Sequence, residues 1–311
     1  MSQAATTIAD TTPPAEMTEV ADGVFAYVQP DGGWCLNNAG VLVTPGTTTV
    51  IDTAATETRA RALRARIAEL TPVVPRTVIN THSHGDHTFG NFVFTPDAEV
   101  VAHERNRAEV IENDLALRNL WPDVCWGEVV VHPATTTFAD RLTLHRDDLR
   151  VELFHPGPAH TTNDVVVWVP ERRVLFTGDI AMSGCAPFVL MGSVSGSLEV
   201  LERLRGLGAE TVVCGHGPVG GPEVLDANLR YFEWLRRVAR EAVAAGLSPL
   251  DAARELDMGE FAGLLDSERI VGNLHRAMAE ERGLERGVPL DVVGIFQEIV
   301  AFHGGLPTCR A

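Results

Sequence analysis

With 311 residues and 45% hydrophobic content, the chain is long enough to bury a full core. Its formal net charge of −17, with no lysine among the 25 basic residues, excludes a nucleic-acid partner, which needs a basic face. The absence of lysine also removes Schiff-base chemistry, so carbon–carbon bond formation would have to run through a metal or a general base.

Residues 1–16 are small, polar and proline-containing, without a basic start or an apolar h-region. They are expected to be a disordered tail rather than a signal peptide. Short strands are then predicted at Val24–Val28, Leu36–Val43 and Thr48–Asp52, the last two as a hairpin around Pro45-Gly46. The Ala, Arg and Leu spacing over Thr56–Leu70 predicts a helix ending at Thr71-Pro72. A strand over Arg76–Asn80, another over Glu99–Ala102 and a helix over Glu104–Leu120 follow. The second half repeats this pattern, with strands at Arg141–His145, Arg150–His155, Val165–Val169 and Val174–Thr177, a helix over Ser197–Leu207 and a buried strand at Thr211–Cys214. Strands alternating with helices in two similar halves predict a layered α/β body over residues 17–221. Beyond Gly220-Gly221 only helical patterns remain, at Glu223–Ala245, Ser248–Leu256, Ser267–Glu281 and Leu290–Phe302. Residues 222–311 therefore read as a helical extension packed on the body.

No apolar run approaches the length of a membrane span. The cysteines Cys35, Cys125, Cys185, Cys214 and Cys309 are odd in number, far apart and never spaced as CxxC. That argues against a disulfide framework or a thiolate zinc site and suits a reducing cytoplasm, with no membrane partner. Self-association into a homo-oligomer is left open.

The densest chemistry is His82-Ser83-His84-Gly85-Asp86-His87, placed where the Arg76–Asn80 strand is predicted to run out into a loop. Three imidazoles and a carboxylate within six residues are the ligand types that borderline divalent metals prefer, zinc above all. Three further residues end predicted strands in glycine-marked turns, where a ligand stays exposed. They are His160 in Gly157-Pro158-Ala159-His160, Asp179 after Gly178, and His216 between Gly215 and Gly217.

His82-x-His84-x-Asp86-His87, followed by His160, Asp179 and His216 in that order, resembles the metallo-β-lactamase superfamily over roughly residues 18–220. The resemblance implies an αβ/βα four-layer sandwich with two metal ions at one edge, here followed by a C-terminal helical extension. It implies that His82, His84 and His160 hold one metal, that Asp86, His87 and His216 hold the second, and that Asp179 bridges them. His155 rivals His160, but the family motif has histidine followed by threonine, as at His160-Thr161. Asp52 matches a family position beneath the site, from which it would orient a ligand imidazole. The similar diiron oxygen reductases carry glutamate at the position of His84, so two zinc ions are expected.

Such a pair lowers the pKa of bound water to about 7 and polarises a carbonyl, which suits esters, thioesters, lactones and β-lactams. The same Lewis acidity would stabilise an enolate for aldol-type ring closure, and Asp86 is placed to steer a proton toward a leaving group. The loops around Trp34 and over Met182–Met191 offer apolar side chains for a substrate pocket, with Trp34, Phe188 and Met191 as its candidates. Gly32-Gly33-Trp34-Cys35, Met182-Ser183-Gly184, Gly192-Ser193-Val194, Gly215-His216-Gly217-Pro218, Asn273-Leu274-His275-Arg276 and Leu306-Pro307-Thr308-Cys309 together resemble the aromatic polyketide cyclase/thioesterases of bacterial type II pathways, of second-ring type. That implies aldol closure of a second ring on an acyl-carrier-protein-bound polyketide and thioester hydrolysis to release a bicyclic acid. Carrier proteins are acidic, so Arg230, Arg236, Arg237 and Arg240 on the long helix are the expected docking patch. The competing expectation is a hydrolase of a free lactone, glutathione-type thioester or β-lactam.

Overall fold

The computed structural model describes residues 14–95 and 97–311. Strand β1 (Glu16–Ala21) begins inside the segment expected to be disordered, because it gains an antiparallel partner, β2 (Val24–Val28), across the Asp22-Gly23 turn. The rest of that expected tail, residues 1–13, lies outside the described residues. Strands β3 (Ala39–Val43) and β4 (Thr48–Ile51) form the predicted hairpin, three residues shorter at its start than Leu36–Val43. Helix α1 (Glu57–Leu70) starts where Thr56 accepts from the Arg59 amide and buries Ala60, Leu63 and Ile67. That helical spacing turns one face onto the sheet, and each Leu or Ile so buried contributes about 1.5–3 kcal/mol.

Strand β5 (Pro75–Ile79) leads into two single-turn helices, α2 (Gly85–Thr88) and α3 (Asn91–Phe94). The histidine stretch is therefore half loop and half helix. After β6 (Glu99–His103), helix α4 spans only Glu104–Asn113; the predicted run to Leu120 breaks at Asp114 (φ 45°) and resumes as a 3₁₀ turn over Ala116–Asn119. A residue at positive φ cannot continue a right-handed α-helix. Strand β7 (Thr136–Phe138), not foreseen from the sequence, completes a seven-stranded sheet in the order β1 to β7.

The second sheet holds β8 (Arg141–Arg146), β9 (Leu149–Phe154), β10 (Val166–Val169), β11 (Val174–Gly178) and β12 (Thr211–Cys214) in the order β12-β11-β10-β9-β8. Helix α5 (Val194–Arg205) crosses between β11 and β12, started by Ser193, whose hydroxyl accepts from the Gly196 amide. Between the sheets lies an apolar layer that includes Leu42, Ile51, Ile79, Leu153, Phe176 and Val213. Helices α1 and α3 cover the outer face of the first sheet, and α5 with the extension covers that of the second. The result is the expected four-layer αβ/βα sandwich.

The extension is helical throughout its regular elements: α6 (Glu223–Ala245), α7 (Pro249–Glu255), α8 (Ile270–Glu281) and α9 (Val292–His303). Helix α8 is sewn onto the 186–190 segment of the body. Asn273 donates to Pro187 O (2.7 Å) and accepts from Val189 N (2.9 Å), Arg276 Nε donates to Leu190 O (3.0 Å), and Arg269 Nη1 donates to Ala186 O (2.9 Å). No helix among the described residues is long and apolar enough to cross a membrane.

Candidate metal centre and cleft

Every candidate ligand sits at one edge of the sandwich, where strands of both sheets end. His82 and His84 follow β5, Asp86 and His87 lie in the single turn of α2, Asp179 follows β11 and His216 follows β12. Two donor groups result, His82–His84–His160–Asp179 and Asp86–His87–His216, each with its ligand atoms within 4.8 Å of one another. Asp179 lies between them: its Oδ2 is 3.5 Å from His160 Nε2 and 3.4 Å from His216 Nε2, and its Oδ1 is 3.2 Å from His87 Nε2. Asp86 Oδ2 is 3.3 Å from His216 Nε2. His155, the rival, lies elsewhere: its ring lies 4.3 Å from that of His103 and its Nδ1 donates to Asp164 O.

Hydrogen bonds on the far side of each ring fix which nitrogen faces the site. His160 Nδ1 donates to Phe188 O (2.5 Å), His216 Nδ1 to Gly32 O (3.1 Å) and His87 Nδ1 to Asp52 Oδ2 (2.8 Å). The Thr81 hydroxyl spends its proton on the same Asp52 oxygen (2.6 Å), so it accepts from His82 Nδ1 at 3.0 Å. In each of these four rings the Nε2 lone pair is thereby aimed inward. Asp52 thus supports two rings at once and also accepts from Thr81 N (2.7 Å); at φ 58° it holds a left-handed conformation that aspartate tolerates.

Glycine flanks make room for the ligands. A Cβ at Gly215 would overlap Asp179 Oδ1, and one at Gly217 (φ 84°) would overlap Ser183 O.

These residues fit a pair of cations. Burial pushes His82 well below its usual range, reinforced by the neighbouring His87, and pushes His160 down to about 3. His84 Nδ1 lies 3.1 Å from His82 Nε2 and 3.0 Å from His160 Nε2, so the three rings converge on one point. Burial alone would also lower His87 and His216, but the carboxylates outweigh it. Asp179, Asp86 and Asp52 raise His87 well above its usual range, and Asp179 and Asp86 bring His216 to about 9. His87 Nε2 and Asp179 Oδ1, 3.2 Å apart and both in the donor set, are buried and make no well-aligned hydrogen bond among the described residues. An orphaned buried donor or acceptor costs about 1–3 kcal/mol, which a cation bound between them removes.

Above the donors opens a cleft of about 100 Å³. Trp34, Phe188 and Met191, the sequence candidates, all line it, together with Trp121, Phe296 and Arg269. The last three escaped the sequence reading: Trp121 follows the broken helix, and Arg269 and Phe296 come from the extension. Trp34 sits at the centre of this wall, 5.2 Å from Phe188 and 5.5 Å from Trp121 between ring centroids. Its indole N–H donates to Glu268 (2.7 Å) and the Arg269 guanidinium lies 4.2 Å from its ring centre.

A two-sheet sandwich carrying paired His/Asp donor groups at the strand-end edge defines a metallo-hydrolase of the sandwich class. Residues 32–216 match the model of the metallo-beta-lactamase superfamily, and the chain belongs to that family. Its relatives include a 2,4-dinitroanisole O-demethylase subunit alpha from Nocardioides sp., 28% identical over 73% of this chain and 63% of that one. A metallo-beta-lactamase type 2 from Bacteroides fragilis is 24% identical over 68% and 82%, and a hydroxyacylglutathione hydrolase from Methylococcus capsulatus 27% identical over 71% and 77%. Since less than two thirds of the demethylase subunit is covered, its whole activity does not transfer. Among solved structures, a metallo-beta-lactamase from Pontibacter korlensis superposes with a TM-score of 0.60 at 21% identity, over 71% of this chain and 99% of that one. Of the cleft lining, Arg269, Val292 and Phe296 come from the extension, beyond the residues that the family model matches.

Because Asp52 holds His87 directly and His82 through Thr81, Asp52→Ala is expected to weaken metal binding by about 10–100-fold. Competition with a chromophoric chelator would measure it; unchanged affinity would remove Asp52 from the site.

Proposed function

We propose that the chain is a zinc-dependent hydrolase of thioesters with a flat aromatic acyl group, acting on an acyl-carrier-protein-bound polyketide. On this reading it closes a second ring by aldol chemistry and releases a bicyclic acid. The observation that supports it best is the aromatic cleft of Trp34, Trp121, Phe188 and Phe296 directly above the donor groups. A flat acyl group gains area and edge or face contacts there, whereas a small polar substrate does not.

When bound, two zinc ions would supply Lewis acidity and a water of pKa about 7. His82, His84, His160 and Asp179 would hold one, Asp86, His87 and His216 the other, with Asp179 shared. The protein's own part is to orient and to move protons. The aromatic wall holds the acyl plane and excludes water. Asp86 would accept a proton at its free oxygen and pass it to the leaving thiolate.

For a carrier partner, α6 offers Arg236 and Arg237, exposed and without an ionic partner among the described residues; Arg230 and Arg240 face Glu260 at 3.8 Å and Glu281 at 3.6 Å. The expected four-arginine patch is thus reduced to two unpaired charges. The relatives' names favour a second reading, a hydrolase of free thioesters or β-lactams. Against a glutathione-type substrate, Arg269, the one arginine among the described residues of the cleft lining, is already paired with Asp266 (2.8 Å).

Mass spectrometry of a carrier-bound reduced polyketide incubated with enzyme tests the proposal. Release of a cyclised acid that a chelator abolishes is expected. Chelator-insensitive release, or turnover confined to free glutathione thioesters, lactones or nitrocefin, would overturn it.

A further inference from the structure

The segment after α9 folds back across the catalytic edge and is registered against the loop that carries Trp34. Pro307 O accepts from Trp121 Nε1 (2.8 Å), Arg310 O accepts from Arg59, and the Arg310 guanidinium pairs with the Asp31 carboxylate. Thr308 and Arg310 share a polar cleft with Asp31, Gly33, Trp34 and Leu36. The residue caught between these contacts on one side is Cys309, half-buried; on the other it is Cys35, buried at the floor of the aromatic cleft. Cys309 packs against the apolar cluster that contains Cys35. Neither serves as a donor in the two metal-binding groups, and both are free thiols.

We infer that Cys35 and Cys309 are an oxidant-responsive dithiol that closes reversibly to a disulfide, fastening the 306–311 segment to the loop carrying Trp34 and Gly32. Loop 31–35 supplies both the central cleft aromatic and the carbonyl that orients His216, so the bond would tie the state of the tail to the shape of the site.

The two sulfurs have different chemistry. Cys309 is only half-buried and open to a small oxidant, whereas Cys35 is buried and burial holds its thiol well above the usual range. Cys309 is thus the nucleophile and Cys35 the resolving thiol. With a hydroperoxide as oxidant, the Cys309 thiolate attacks the O–O bond, gaining one oxygen as a sulfenic acid while the other leaves as hydroxide or alkoxide. The Cys35 thiol then attacks that sulfur; the S–S bond forms and water departs. Two thiols have lost two electrons and the peroxide has gained them, and a small dithiol reverses the step by exchange. Cys185, pushed up to about 11 by burial, and the buried Cys214 do not compete.

The test uses the full reduced chain, treated with hydrogen peroxide, alkylated and digested without reductant. A peptide linking Cys35 to Cys309 is expected, lighter by two hydrogens, with the exposed Cys125 still alkylated. Dithiothreitol should reverse it, the oxidised chain should melt several degrees higher, and Cys309→Ser should show neither link nor shift. Cys309 recovered as alkylated thiol or as sulfinic or sulfonic acid without a link, a link through Cys125, or an unshifted melting temperature in the linked chain would overturn the inference. The wild-type peptide map decides the matter even if the variant folds poorly.

Discussion

His84→Ala and His87→Ala are each expected to lose metal and hydrolytic activity, by different amounts of structural damage. Partners that merely orient a metal ligand are worth about 10–100-fold in affinity, so deleting a ligand should cost more than about 100-fold. His84 belongs to the first donor group and is only partly buried; without it His82 Nε2 and His160 Nε2 still face Asp179 Oδ2, at 3.9 and 3.5 Å. The second group keeps Asp86, His87, His216 and the shared Asp179, and one metal per chain is the expected content of this variant. His87 is fully buried and hydrogen-bonded to Asp52 at 2.8 Å. Its removal leaves that Asp52 oxygen with the Thr81 hydroxyl alone, at a stability cost of about 1–3 kcal/mol. Elemental analysis beside thermal unfolding separates the two cases. Full metal content in either variant would show that the donor groups are not a metal centre.

How much of this was readable in advance follows from how local each signal is. Helix α6 was bounded from sequence at Glu223–Ala245 as observed, because a long amphipathic run ending at Gly246 (φ 71°) carries its own stop signal. The grouping of the candidate donors at one edge was legible because a strand end and a glycine turn are marked within a few residues. The helix predicted to Leu120 failed because Asp114 takes a positive-φ conformation (φ 45°, ψ −120°) that composition does not announce. The cleft wall was half invisible for a different reason. Trp34 meets Glu268 across 234 positions and Trp121 meets Pro307 across 186, distances over which neither periodicity nor spacing carries information. The same holds for Cys35 and Cys309, which look unrelated in the chain. Arg269 was read as part of an ordinary helix, yet it is 1% exposed; arginine is among the residues least often buried, so sequence gives no warning.

That burial makes Arg269 the joint between body and extension. Its guanidinium donates to Ala186 O (2.9 Å), pairs with Asp266 (2.8 Å) and lies against Trp34. Arg269→Met keeps the volume and removes the charge, leaving Asp266, a largely buried carboxylate, without its partner. Breaking a buried pair on one side costs about 3–5 kcal/mol, and that loss is expected in urea unfolding. The pH dependence carries a sign that packing alone would not. Burial already raises Asp266 above the usual carboxylate range, with Arg269 pulling it back, so removing Arg269 raises it further. Between the ordinary carboxylate pKa and that raised value, the folded state binds more protons than the unfolded one, so stability falls as pH rises through the window. The deficit of Arg269→Met should therefore be largest at neutral pH and shrink as pH drops through the raised pKa of Asp266. Arg269→Met combined with Asp266→Asn should regain part of the loss at neutral pH and lose the slope. A deficit that is flat with pH, or a double variant no more stable than the single one, would show that Arg269 acts through its contacts with Ala186 and Trp34 and not through the buried charge.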